Sequence, residues 1–124
     1  MNIRLQSAAI LLLAMWLPAG QATIRQIEQA LELSPPQLQL PARPDAQLTV
    51  RPCADCRIVA LRVTTATRWY ASLREREPAG QAAVLEIYRT ASSNPQMLVH
   101  VFYEPQTLRV KRIVLDIPRG SQAR

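Results

Sequence analysis

The sequence predicts a small α+β domain: an antiparallel sheet built from two β-hairpins with one packed helix, preceded by a signal peptide and a Pro-rich arm. Three observations predict it. Ala46–Val63 alternates apolar and polar residues on both sides of a C-x-x-C turn. Met97–Ile117 holds two β-rich runs separated by a proline-containing turn. Between them, Pro78–Ala91 places apolar residues at helical spacing.

The chain opens with Met1, Asn2, Ile3 and Arg4, then an apolar run from Ala8 to Leu17, then Pro18 and the small residues Gly20 and Ala22. One charge, an apolar stretch, a helix breaker and a small-x-small end make the tripartite secretory pattern. Ten apolar residues rise only about 15 Å as a helix, short of the roughly 20 residues a membrane span needs. Residues 1–22 are therefore expected to be a signal peptide cleaved after Ala22. The expected compartment is the periplasm, or the medium after full secretion, and the working chain is one domain of about a hundred residues.

Residues 23–45 are expected as a short helix and a Pro-rich linker. Ile24, Ile27 and Leu31 recur at three and four residues, and Gln26 stands three after Thr23 as in a capping box. Ser34–Asp45 contains Pro35, Pro36, Pro41 and Pro44, which favours an extended, mobile segment. The folded domain is expected over residues 46–118, with a basic tail over residues 119–124.

With Ala54 and Asp55 as turn residues, Cys53 faces Cys56, Val50 pairs with Val59, Leu48 with Leu61 and Ala46 with Val63. That register makes one face almost wholly apolar and places Gln47, Thr49, Arg51, Ile58, Ala60 and Arg62 on the other, mostly polar face. Thr65–Ala71 is expected to continue as a third strand after a bend; Trp69 and Tyr70 then point to opposite faces, so at least one joins the core. In the helix, Val84, Ile87, Tyr88 and Ala91 share a face, Pro78 suits the first turn, and Ser92–Pro95 ends it. In the second hairpin Pro105 suits the second position of a type I turn, and Ile113–Leu115, apolar on both faces, is expected to be deeply buried.

Cys53 and Cys56 are the only cysteines. The ends of a β-turn lie within about 7 Å and a disulfide needs Cα atoms about 4.4 to 6.8 Å apart, so a structural bond across the turn is compatible. The stretch also has a superficial resemblance to the thioredoxin family: a strand, then C-x-x-C, then Pro95, 39 residues after Cys56, leading into a hairpin. In that family a cis proline packs beside the active disulfide. The resemblance implies a thiol–disulfide oxidoreductase with Cys53 as nucleophile and Cys56 as resolving thiol. Redox centres of this kind place the first Cys at a helix N-terminus. Here Arg57–Thr65 alternates as a strand, Arg51 and Pro52 stand where an aromatic usually precedes the first Cys, and a Pro-rich segment replaces the family's first strand and helix. The sequence therefore favours the structural bond and keeps redox activity as the alternative.

Other chemistry is thin. Cys53, Cys56 and His100 are too few ligands for a zinc site. His100, the only histidine, sits among apolar strand residues and reads as a half-buried sheet position. Glu75 and Glu77 flank Arg76 in a polar turn. With three glycines in the chain there is no phosphate-binding glycine loop, and no cofactor is expected. The formal net charge is +6, and Lys111 is the only lysine. No dense basic run occurs, which favours a solvated basic face, and outside the cytoplasm nucleic acid is not an expected partner. The expectation is a non-enzymatic binding or interaction module whose partner is another envelope protein or an anionic envelope surface. Arg51, Arg57, Arg62 and Arg68 would carry the latter if they share one exposed face.

Overall fold

The computed structural model describes residues 27–118. The expected signal peptide, the first part of the expected helix (Thr23–Gln26) and the expected basic tail lie outside the described residues. The elements are β1 (Gln29–Leu33), β2 (Leu38–Gln39), β3 (Ala46–Val50), β4 (Val59–Val63), β5 (Arg68–Tyr70), α1 (Gln81–Ala91), β6 (Leu98–Glu104) and β7 (Arg109–Asp116). They make a small α+β fold of one helix and one sheet, with strand order β1-β6-β7-β4-β3-β2 and β5 also paired to β7.

The first hairpin has the register that the apolar alternation predicts. Val50 faces Val59, Leu48 faces Leu61 and Ala46 faces Val63. Leu48, Val50, Leu61 and Val63 are buried, while Gln47, Ala60 and Arg62 on the other face are exposed. Period-two alternation fixes this outcome, because a slip of one residue would turn every apolar side chain to solvent.

The sheet is mixed, not purely antiparallel. β7 is antiparallel to β6, but β4 and β5 both run parallel to β7. Local pairing predicts both hairpins correctly; it does not say which strand of the second docks onto the first. Docking through β7 makes the junction parallel. β4 and β5 share one edge of β7: Arg62 pairs with Arg109, the chain loops out through Thr64–Thr67, and Arg68 rejoins at Arg112. This is the expected third strand after a bend. The two hairpins meet where the Arg62 N–H donates to the Leu108 carbonyl at 2.8 Å.

The β6–β7 connection also differs from a simple type I turn. The Leu108 N–H closes back onto the Glu104 carbonyl at 2.8 Å, and Leu108 has φ 59°, in the left-handed region that branched side chains rarely adopt. The docking of β4 on its carbonyl helps to hold it there.

The N-terminal expectation is overturned. In place of the helix that the spacing predicts over Thr23–Leu33, Gln29–Leu33 is an edge strand antiparallel to β6, with Leu33 facing Val99 and Leu31 facing Val101. The spacing of Ile27 and Leu31 suits a helix, but Leu31 and Leu33 also alternate, and sheet pairing decides between them. The Pro-rich stretch is likewise tied down. Pro35–Gln37 is a short 3-10 turn in which Gln37 Oε1 accepts from Ser34 N–H at 2.8 Å. Gln37 Nε2 donates to the Pro52 carbonyl at 3.1 Å. Gln81 Nε2, from the first turn of α1, donates to the carbonyls of Pro41 and Arg43 at 3.0 and 2.9 Å. Leu33 and Leu38 belong to the core, so a domain start near Ala46 is too late and this arm is not a free linker.

Helix α1 packs Val84 and Leu85 onto the core face of the sheet, with Ile87, Tyr88 and Ala91 partly buried beside them. There they meet Trp69, Met97, Val99, Val101, Val110, Ile113 and Leu115. Ile113, Val114 and Leu115 are all buried, as their apolar run predicts. Within the described residues the opposite face of the sheet is crossed by no helix.

Candidate functional site

A phase break in β7 builds the most chemically distinctive surface. Val110 and Ile113 are both buried in the core although three residues apart, which strict alternation forbids. A β-bulge resolves this: Tyr103 faces Val110 and Phe102 faces Arg112, leaving Lys111 as the extra residue. Lys111 and Arg112 therefore both lie on the helix-free face, with Arg109 on the same side before the bulge. β5 brings Arg68 and Tyr70 out beside them and turns Trp69 into the core.

These residues line a cleft of about 400 Å³ with Glu28 and Glu104. Arg112 is held on two sides. Its Nη2 donates to Glu28 Oε1 at 2.8 Å, and its guanidinium carbon lies 4.0 Å from the centre of the Phe102 ring. That geometry combines an ion pair with a cation–π contact on one guanidinium. Arg68, Arg109 and Lys111 are in no ion pair among the described residues. A neighbouring cleft of about 300 Å³ shares Tyr70 and Arg112 and is lined further by Leu73, Phe102 and Val114. The surface is a basic centre with an aromatic and aliphatic flank.

The sequence singles out Arg51, Arg57, Arg62 and Arg68. All four are exposed, but the fold spreads them. Arg51 and Arg57 flank the disulfide loop. Arg62 lies near the other end of β4 and sits 4.0 Å from Asp45. Of the four, only Arg68 lines the cleft; its companions Arg109, Lys111 and Arg112 escape the sequence reading. The signal is present in the order Val110, Lys111, Arg112, Ile113, where the apolar phase slips by one.

Cys53 and Cys56 are disulfide-bonded, with Cα atoms 4.9 Å apart across the expected turn. The Cys56 N–H donates to the Cys53 carbonyl at 3.2 Å. The chain after Cys56 enters β4, not a helix, so no helix dipole acts on Cys53. This departs from what the resemblance to thioredoxins implies, as does Pro95, since the described residues contain no cis peptide.

His100 is half-buried on β6, with Nε2 3.5 Å from Asp116 Oδ2 and Glu32 opposite on β1. Glu75 and Glu77 are exposed. Among the described residues no group of His, Cys, Asp and Glu could hold a metal ion. Comparison with known families, with curated proteins and with solved structures gives no match.

Proposed function

We propose that the protein is a small non-enzymatic binding module that works outside the cytoplasm, in the periplasm or after secretion, and that it engages an anionic partner on the helix-free face of its sheet. The observation that carries this is the bulge in β7, which gathers Arg109, Lys111 and Arg112 beside Arg68 on one exposed face. The leader-like pattern of Met1–Ala22 and the Cys53–Cys56 bond support the compartment. The disulfide's part is to pin the β3–β4 hairpin. Redox catalysis has less support, because the C-x-x-C feeds a strand.

Co-sedimentation with phosphatidylglycerol vesicles tests the reading. Binding is expected to weaken with salt, as an interaction between exposed charges must. It should be lost in Arg68→Glu/Lys111→Glu and survive in Arg57→Glu and in Cys53→Ala/Cys56→Ala. Salt-independent binding, or loss only in the cysteine variant, would refute it, as would turnover of a dithiol substrate by the wild-type chain.

A further inference from the structure

Resting on that reading, we infer that the cleft between β5 and β7 is a receptor for a terminal phosphate monoester. Arg68, Arg109, Lys111 and Arg112 line the cleft against two carboxylates, Glu28 and Glu104. Glu28 is committed to Arg112 at 2.8 Å. Glu104 is the register partner of Arg109 across the hairpin and makes no ion pair within 4 Å among the described residues. Arg68, Arg109 and Lys111 thus line one cleft, where among the described residues Glu104 is the one carboxylate not committed elsewhere. A single carboxylate ligand would leave the site net positive; a phosphate monoester, carrying about −1.5 to −2 charges at neutral pH, matches it better.

Geometry points the same way. Guanidinium groups present planar forks that pair with two oxygens of one phosphate at once, and an ammonium adds a point charge that tolerates any third oxygen. Arg68 and Arg109 both stand on strands of the sheet, β5 and β7, so sheet backbone, and not a flexible loop, carries both forks. A volume of about 400 Å³ suits a small headgroup rather than a long polymer. The Tyr70 and Phe102 rings flank the site where the organic part of the ester would lie. The phosphate can belong to a soluble ester or to a lipid headgroup; the chemistry recognised is the same.

Titration calorimetry of the full chain with inorganic phosphate, glycerol 3-phosphate, sulfate and acetate tests this. Vesicles containing phosphatidic acid, a monoester, are compared with vesicles containing phosphatidylglycerol, a diester. The groups lining the cleft are Arg68, Arg109, Lys111, Arg112, Glu28, Glu104 and Tyr70, with no histidine among them. Affinity for the monoester should therefore rise with pH through about 6, as its second proton leaves, while affinity for sulfate stays level. Arg68→Gln and Arg109→Gln should each weaken monoester binding about tenfold, the usual size of a lost charge-assisted hydrogen bond. Arg51→Gln and Arg57→Gln should leave it unchanged. Stronger binding of phosphatidic acid vesicles than of glycerol 3-phosphate assigns the site to a headgroup; the reverse assigns it to a soluble ester. Equal affinity for acetate and monoester, or indifference to Arg68→Gln and Arg109→Gln, overturns the inference. If phosphatidylglycerol then still binds through Arg68 and Lys111, the binding-module reading survives alone; if no anion binds, both fall.

Discussion

Thr67 Oγ1 donates to the Val110 carbonyl at 2.8 Å and accepts from the Thr64 N–H at 3.0 Å. Among the described residues Thr67 is the buried polar side chain, and it stands where the β4–β5 edge leaves β7. Its hydroxyl fills a gap in the backbone ladder immediately before the Lys111 bulge. Thr67→Val keeps the shape and removes both bonds, stranding a donor and an acceptor. A loss of about 1 to 3 kcal/mol is expected, the cost of the stranded buried Val110 carbonyl, with the half-buried Thr64 N–H adding less. Denaturant unfolding measures it; a change below about 0.5 kcal/mol would mean that water replaces the hydroxyl. The loop should also lose its hold on β7, so phosphate binding should weaken in the same variant.

Leu33 tests the corrected N-terminal boundary. It is 1% exposed and packs in the core from an edge strand. Leu33→Ala should cost about 2 to 5 kcal/mol, the usual range for truncating a buried leucine. Limited proteolysis should spare the segment from Leu33 to Asp45, which Gln37 and Gln81 tie to the rest of the fold. Ready cleavage there together with an unchanged melting temperature would restore the mobile arm.

What was legible in the sequence divides along the range of the interactions. The first hairpin was readable because Leu48, Val50, Leu61 and Val63 carry both the strand period and the register, and the cysteines mark the turn. Helix α1 and the β6–β7 hairpin were readable for the same local reason. β1 was not, because one short apolar run satisfies helical and extended spacing, and its partner β6 lies far along the chain. The parallel junction of β4 and β5 with β7 leaves no local trace. The cleft falls between: its bulge was written in the Val110–Ile113 phase slip, but the arrival of Arg68 beside Arg112 depends on that unreadable junction.

Tyr88 gives a pH signature. It lies on α1 against the core, and burial raises its phenol above the usual 10.0. The unfolded chain therefore releases this proton at a lower pH than the folded one. The stabilisation is complete below about pH 10 and is lost as pH climbs through the folded value. Tyr88→Phe removes this contribution, so its stability should fall less steeply on the alkaline side while matching the wild type more closely near neutrality. Parallel wild-type and variant curves above about pH 10 would show that the phenol ionises equally in both states.

The disulfide should be a staple and no more. It closes a loop of only a few residues, and chain-entropy arguments assign so short a loop roughly 2 kcal/mol. The hairpin beneath it has its own reasons to form, since Val50–Val59 and Leu48–Leu61 pair on a buried face and Gln37 anchors the Pro52 carbonyl from outside. Cys53→Ala/Cys56→Ala is therefore expected to lose about 2 kcal/mol yet keep the fold. Chemical shifts of Leu48, Leu61 and the β7 amides should stay in place, with changes confined to Arg51–Ile58. Structural disulfides of secreted proteins have potentials below about −300 mV, and the same is expected here, whereas strong catalytic oxidants lie near about −120 to −180 mV. Equilibration with dithiothreitol buffers, followed by thiol counting, measures this. A potential in the catalytic range, with a fold indifferent to the cysteine variant, would mean that the pair is kept for redox chemistry, and the binding-module reading would give way to the oxidoreductase.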